Sequence, residues 1–185
     1  METKLSKLRP LLLWLLLVLA ILVALWPWVS MRKIDSRLTE NPPNNGIVAF
    51  ELACSADSAQ KIIDGWGPEL SILAGRSIKI DFIFIPAYVL LFFSITMLFT
   101  FLVAPSLARI MRAIALIPIV SGLCDVTENI FLLLILKTSH AIPAHYPLVA
   151  STCATIKFSI LGLVVLSWIV MLAAWLVGKV RKAGA

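Results

Sequence analysis

The chain has 185 residues, 61% hydrophobic and 14% charged, with a formal net charge of +6. Soluble domains carry about a quarter charged residues and under half apolar ones. A water-soluble core is therefore excluded, an integral membrane protein is expected, and residues 1–185 read as a single membrane domain.

The first apolar run, residues 10–29, is Leu-rich and uncharged, and follows Lys4, Lys7 and Arg9. A basic start resembles a secretory signal, but about 20 apolar residues suffice to span, and no small-x-small cleavage site follows. It reads as a retained anchor helix of structural role, with Trp26 and Trp28 as interfacial anchors at its far end.

The segment after it is neutral. Arg32, Lys33, Arg37, Lys61, Arg76 and Lys79 balance Asp35, Glu40, Glu51, Asp57, Asp64 and Glu69. Asn41-Pro42-Pro43-Asn44-Asn45-Gly46 is a breaker. From 47 to 66 the spacing predicts an amphipathic helix. Val48, Leu52, Ala56, Ala59, Ile63 and Trp66 fall on one side, and Asp57, Lys61 and Asp64 on the other. Gly65, Gly67 and Pro68 are expected to end it. Such a helix would lie on the outer face as a lid or in the headgroup layer. In that position it could gate the polar site described below.

A second span is expected over 78–103, with Asp81 near its outer end, Tyr88 seven residues on along the same face, and Pro86 between them. Its phenylalanines read as packing and lipid contacts. Arg109 and Arg112 follow in a short turn.

The third span, 113–136, holds the unusual stretch. Pro118, Ser121, Asp125, Glu128 and Leu132 share one helical face, with Asn129 beside them. Carboxylates in the middle of a span cost several kcal/mol if they face lipid, so this stripe must face protein, water or a ligand. His140 and His145 lie in the next outer turn and read as solvated. The fourth span, 148–177, has one internal charge, Lys157, with Ser151, Thr152, Thr155 and Ser159 around it.

Eight further basic residues give the orientation. Lys4, Lys7, Arg9, Arg109, Arg112, Lys179, Arg181 and Lys182 share their side with one acid, Glu2. The positive-inside rule puts both termini in the cytoplasm. No basic face with interleaved aromatics appears, so nucleic acid is excluded as a partner; the partner is the bilayer. Cys54, Cys124 and Cys153 are scattered, without a C-x-x-C or a Cys/His cluster, so no metal site and no cofactor are expected.

Depth brings the polar residues together. Glu128 lies about 12 Å below the outer edge of its span and Lys157 about 13.5 Å, at ~1.5 Å per residue. Asp125 is a turn deeper, and Asp81 lies within about 5 Å of the edge. One pocket open toward the outer side would hold Asp81, Tyr88, Ser121, Asp125, Glu128, Asn129 and Lys157 as ligand-binding residues. Three acids against one lysine leave two uncompensated negative charges. A retained proton, water or a bound cation must answer them.

Phe50-Glu51-Leu52-Ala53, Ile63-x-x-Trp66, Asp81-Phe82-Ile83-Phe84-Ile85-Pro86-x-Tyr88 and Gly122-x-x-Asp125-x-x-Glu128-Asn129 together resemble a group of small bacterial four-span membrane proteins. The resemblance covers most of the chain beyond the first span and implies a bacterial inner (plasma) membrane location. At the level of fold alone, the chain is similar to the emopamil-binding and sigma-2 receptor family, four-span bundles with acidic residues in a pocket for amphipathic amines and sterols. No motif matches theirs residue by residue, and no histidine lies in the spans.

The expected fold is an all-α bundle of four transmembrane helices with one extracytoplasmic amphipathic helix. The expected function is binding or moving a cation, a proton or an amphipathic small molecule; a transporter this small would work as a homodimer. Two alternatives stand beside it. One is a lipid-modifying enzyme with Asp125 or Glu128 as general acid or base, although no nucleophile–base pair accompanies them. The other is an assembly protein in which a Glu128–Lys157 pair and a bonded Asp125/Asn129 only fix helix packing.

Overall fold

A computed structural model of the chain describes residues 2–40, 45–138 and 141–183. These residues are helices and their connections, without strands. The elements are α1 (Glu2–Leu38), α2 (Ile47–Glu51), α3 (Ala56–Phe99), α4 (Pro105–Ile114), α5 (Ile117–Lys137) and α6 (His145–Ala183). Four segments, Leu8–Leu38, Ala56–Phe99, Pro105–Lys137 and His145–Lys179, are long and apolar enough to cross a membrane. Four of the six residues of the 41–46 breaker, Asn41, Pro42, Pro43 and Asn44, and His140 lie outside the described residues.

The helices pack in chain order. α1 lies along α3, α3 along α5, and α5 along α6, whereas among the described residues α1 and α6 share no packed seam. On α1 the buried positions Leu13, Leu17, Ala20, Pro27 and Leu38 fall near a 3.5-residue spacing, which presents one narrow face to α3. Most side chains of residues 8–38 of α1 and of residues 145–179 of α6 stay uncovered, including Leu12, Leu15, Leu22, Leu163, Leu166 and Ile169.

The main apolar core sits at the α2 end of the bundle. Leu38, Phe50, Ala59, Ile62, Ile63, Trp66, Ile78, Leu132 and Ala150 meet there, so every long helix and α2 contribute. Burying each large side chain there is worth about 1.5–3 kcal/mol relative to water.

The single amphipathic helix expected over 47–66 is two pieces. α2 stops at Glu51, and Ser55, with extended backbone, caps a new helix by accepting from the Ser58 N–H at 3.1 Å. The restart changes the helical phase. Ala59, Ile63 and Trp66 are buried as expected, but Val48 and Leu52 are exposed, and Phe50, Glu51 and Ala53 face inward instead. At the other end the helix does not stop at Gly67. Gly67 adopts φ +67°, which L side chains rarely accept, and Pro68 restarts the helix at once. α3 therefore bends there and runs on to Phe99, so residues 68–77 are helix too. The apolar run at 113–136 is also interrupted. α4, with Pro105 in its first turn, ends at Ile114, and α5 starts at Ile117 with Pro118 in its first turn.

Candidate functional site

α5 presents its polar stripe inward. Ser121, Asp125, Glu128 and Asn129 are all buried on the face that meets α3 and α6. Gly122 lets α3 come close: a Cβ there would stand 2.8 Å from Val89 Cγ2. From α6, Lys157 reaches across. Its Nζ lies 3.0 Å from Asp125 Oδ1, 2.8 Å from Glu128 Oε2, and 3.6 Å from Glu51 Oε2. The Phe158 ring lies 4.6 Å from the same ammonium. Ser121 donates to the Lys157 carbonyl at 3.4 Å, a long bond.

Glu51 arrives on α2, which is held from three directions. Asp35 Oδ1 accepts from the Ile47 N–H at 2.7 Å, the Trp66 indole donates to the Asn45 carbonyl at 2.7 Å, and Phe50 meets Trp66 edge-on at 5.1 Å. A Cβ on Gly46 would lie 2.5 Å from Asp35 Oδ1, so the chain needs glycine there for Asp35 to cap α2. Burial raises the Glu51 carboxyl above its ordinary value, and Lys157 acts in the opposite sense.

Asp81 belongs to α3. Its Oδ2 accepts from Asn129 Nδ2 at 2.7 Å. Among the described residues no ammonium or guanidinium lies within ion-pair distance of it. One and two turns further on, Phe84 and Tyr88 share its face, with ring centroids 5.7 Å apart, and Phe92 continues the row. The Tyr88 hydroxyl is buried beside Ser121 and Asp125.

A cavity of about 460 Å³ lies between these groups. Of the residues expected in the pocket, Asp81, Tyr88, Asp125, Asn129 and Lys157 line it. Ser121 and Glu128 do not. Both are fully buried behind the lining, where Glu128 is closed on Lys157. Asn129 bonds Asp81 on the neighbouring helix rather than Asp125. His145, at the start of α6, is exposed and meets Tyr146 edge-on at 4.7 Å, away from the cavity.

Several lining residues were not anticipated: Glu51, and Trp28, Met31, Arg32 and Asp35 of α1. Each left a trace in the sequence. On the helical wheel Glu51 falls beside Val48 and Trp66, an acid on the apolar side. The apolar run of α1 stops at 29, but no Gly or Pro follows before Leu38, so the helix carries Arg32 and Asp35 onward along one face.

The charged residues that line the cavity are four carboxyls (Asp35, Glu51, Asp81, Asp125) and two bases (Arg32, Lys157), so full ionisation would leave −4 + 2 = −2. Among the described residues no three His, Cys, Asp or Glu side chains are arranged to hold a metal ion. An acid-rich cavity walled by aromatic rings can take a positively charged organic group, by charge and by the faces of the rings. No protein-family model, curated protein or solved structure matches the chain.

Proposed function

We propose that the chain is a multi-pass protein of the bacterial inner membrane that binds a small organic cation in its acidic cavity. Both termini lie in the cytoplasm and the α2 end faces outward. The membrane reading is supported by the uncovered apolar faces of α1 and α6, which far exceed the patches a soluble monomer leaves to water. The orientation is supported by the basic residues gathered at the α4 end and at the two termini. In this setting the α2–α3 corner caps the outer side of the bundle.

One observation carries the ligand class. Asp81 faces a cavity, and among the described residues its only short polar contact is a neutral amide. Asp125 and Glu128 already have Lys157, so their charge has an architectural use. Asp81 is the carboxylate left for a guest, with Phe84 and Tyr88 as its aromatic walls.

The test is thermal unfolding of the purified protein in detergent with benzyltrimethylammonium or with benzyl alcohol. The cation is expected to raise Tm in a saturable way and the neutral compound to leave it unchanged. Asp81→Asn, which keeps an acceptor for Asn129, should abolish the rise while shifting the unliganded stability by under about 1 kcal/mol. Equal responses to the two compounds, or an undiminished response in Asp81→Asn, would overturn the assignment.

A further inference from the structure

The three cysteines are scattered in sequence, but two of them meet in space. α5 and α6 run antiparallel, in a register set where Ser121 donates to the Lys157 carbonyl. From that contact Cys124 lies three residues toward the α2 end on α5, and Cys153 lies four residues toward it on α6. At ~1.5 Å per residue these are heights of about 4.5 and 6 Å, so the two are nearly level.

Their places on the two helices are also equivalent. Cys124 follows buried Ser121 by three residues and precedes Glu128 by four. Cys153 follows buried Ala150 by three and precedes Lys157 by four. Equivalent positions on antiparallel helices fall on the same flank of the seam, and the two thiols are neighbours there.

Both thiols are free and half-buried, and neither lines the cavity. The flank they share is apolar. Val120, one turn before Cys124, is 50% exposed, and Ile156, three residues after Cys153, is 42% exposed. In the membrane reading this flank faces lipid, where a water-borne disulfide donor does not reach it. Cys54 differs, standing exposed in the connection between α2 and α3.

We infer that Cys124 and Cys153 are an oxidisable dithiol whose oxidant is a lipid-soluble quinone. Each thiol gives up one proton and one electron, and a sulfur–sulfur bond forms. The quinone carries away the two protons and two electrons as the hydroquinone. The link closes residues 124–153 into a loop and clamps together the segments that carry Glu128 and Lys157. This inference rests on the membrane reading and is independent of the cation.

The experiment places the reduced full chain in lipid nanodiscs with an excess of decylubiquinone. One hydroquinone per chain is expected, read from the loss of quinone absorbance. Thiols that can be alkylated after denaturation should fall from three to one, leaving Cys54. Peptide mapping should join residue 124 to residue 153, and Tm should rise by about 5–10 °C. Cys124→Ser and Cys153→Ala should each slow quinone reduction at least tenfold. Three thiols retained in a chain that sodium carbonate does not strip from liposomes would overturn this inference alone. A link to Cys54 or to a second chain would do the same, as would a link that forms with diamide but not with the quinone. A chain that carbonate does strip would overturn the membrane reading as well.

Discussion

Two walls of one cavity use the same residue types to different ends. On the α5–α6 wall, Asp125 and Glu128 close on Lys157 at 3.0 and 2.8 Å, and Glu128 is sealed from the cavity altogether. On the α3 wall, Asp81 faces the cavity with a neutral amide as its short polar contact, and the Tyr88 ring lies beside it. Buried acids matched by a cation hold helices in register; a buried acid facing space without one is a place for something else to bind. The presence of acids in a span does not tell these apart. The position of the single lysine does.

The sharpest way to break the comparison is to remove that lysine. Lys157→Met strands three carboxyls and should cost about 3–5 kcal/mol, read from denaturant unfolding in mild detergent. Adding Asp125→Asn and Glu128→Gln should recover most of the loss. A Lys157→Met protein as stable as the parent would make the two walls equivalent and the distinction empty.

Gly122→Val pushes the walls apart. Its side chain collides with Val89, and overpacking of this kind costs about 1–3 kcal/mol, seen as a lower Tm. The cation-induced rise in Tm should weaken as well, because Tyr88 and Asp81 ride on the helix that is displaced.

Glu51 bridges the two regions and gives a pH signature. Its raised carboxyl means that the folded chain keeps this proton to higher pH than the unfolded chain does. Its stabilising contribution is complete below about pH 4, the ordinary carboxylate range, and declines as pH rises through the raised value. Tm measured from about pH 4 to 9 should therefore fall less steeply in Glu51→Gln than in the parent. A steeper fall in the variant would reverse the sign and exclude the assignment. The smallest effect is expected for Tyr88→Phe, because the buried hydroxyl is closed off from the cavity and the ring that walls it remains. Unliganded stability should change by under about 1.5 kcal/mol, and the benzyltrimethylammonium-induced rise in Tm should persist.

Much of this contrast is readable from residue spacing. The stripe Ser121, Asp125, Glu128 and Leu132 is buried on one face because 3.6-residue periodicity fixes it locally. Glu128 and Lys157 meet because antiparallel helices joined by a short turn match in depth. Partners set by local breaks are harder to see. The wheel drawn through residues 47–66 fails at Ser55, where one capping hydroxyl resets the phase and turns Glu51 inward. Gly67-Pro68 reads equally as a stop and as a bend, and only the core around Trp66 decides for the bend. The pairing of Asn129 with Asp81 depends on how closely α3 approaches α5, which hydropathy does not encode.

The long separation in sequence between Lys157 and its partners bears on how the chain is made. Asp125 precedes Lys157 by 32 residues, and the core at the α2 end is incomplete until Ala150 has been added. At about 5–20 residues per second, a ribosome delivers the ammonium roughly 2–6 s after the first of its α5 carboxyls. During that interval the earlier helices hold acids whose counter-cation does not yet exist. Synthesis halted between the two would leave a product whose α5 acids only protons or water can answer, a natural mark for quality-control proteolysis of unfinished chains.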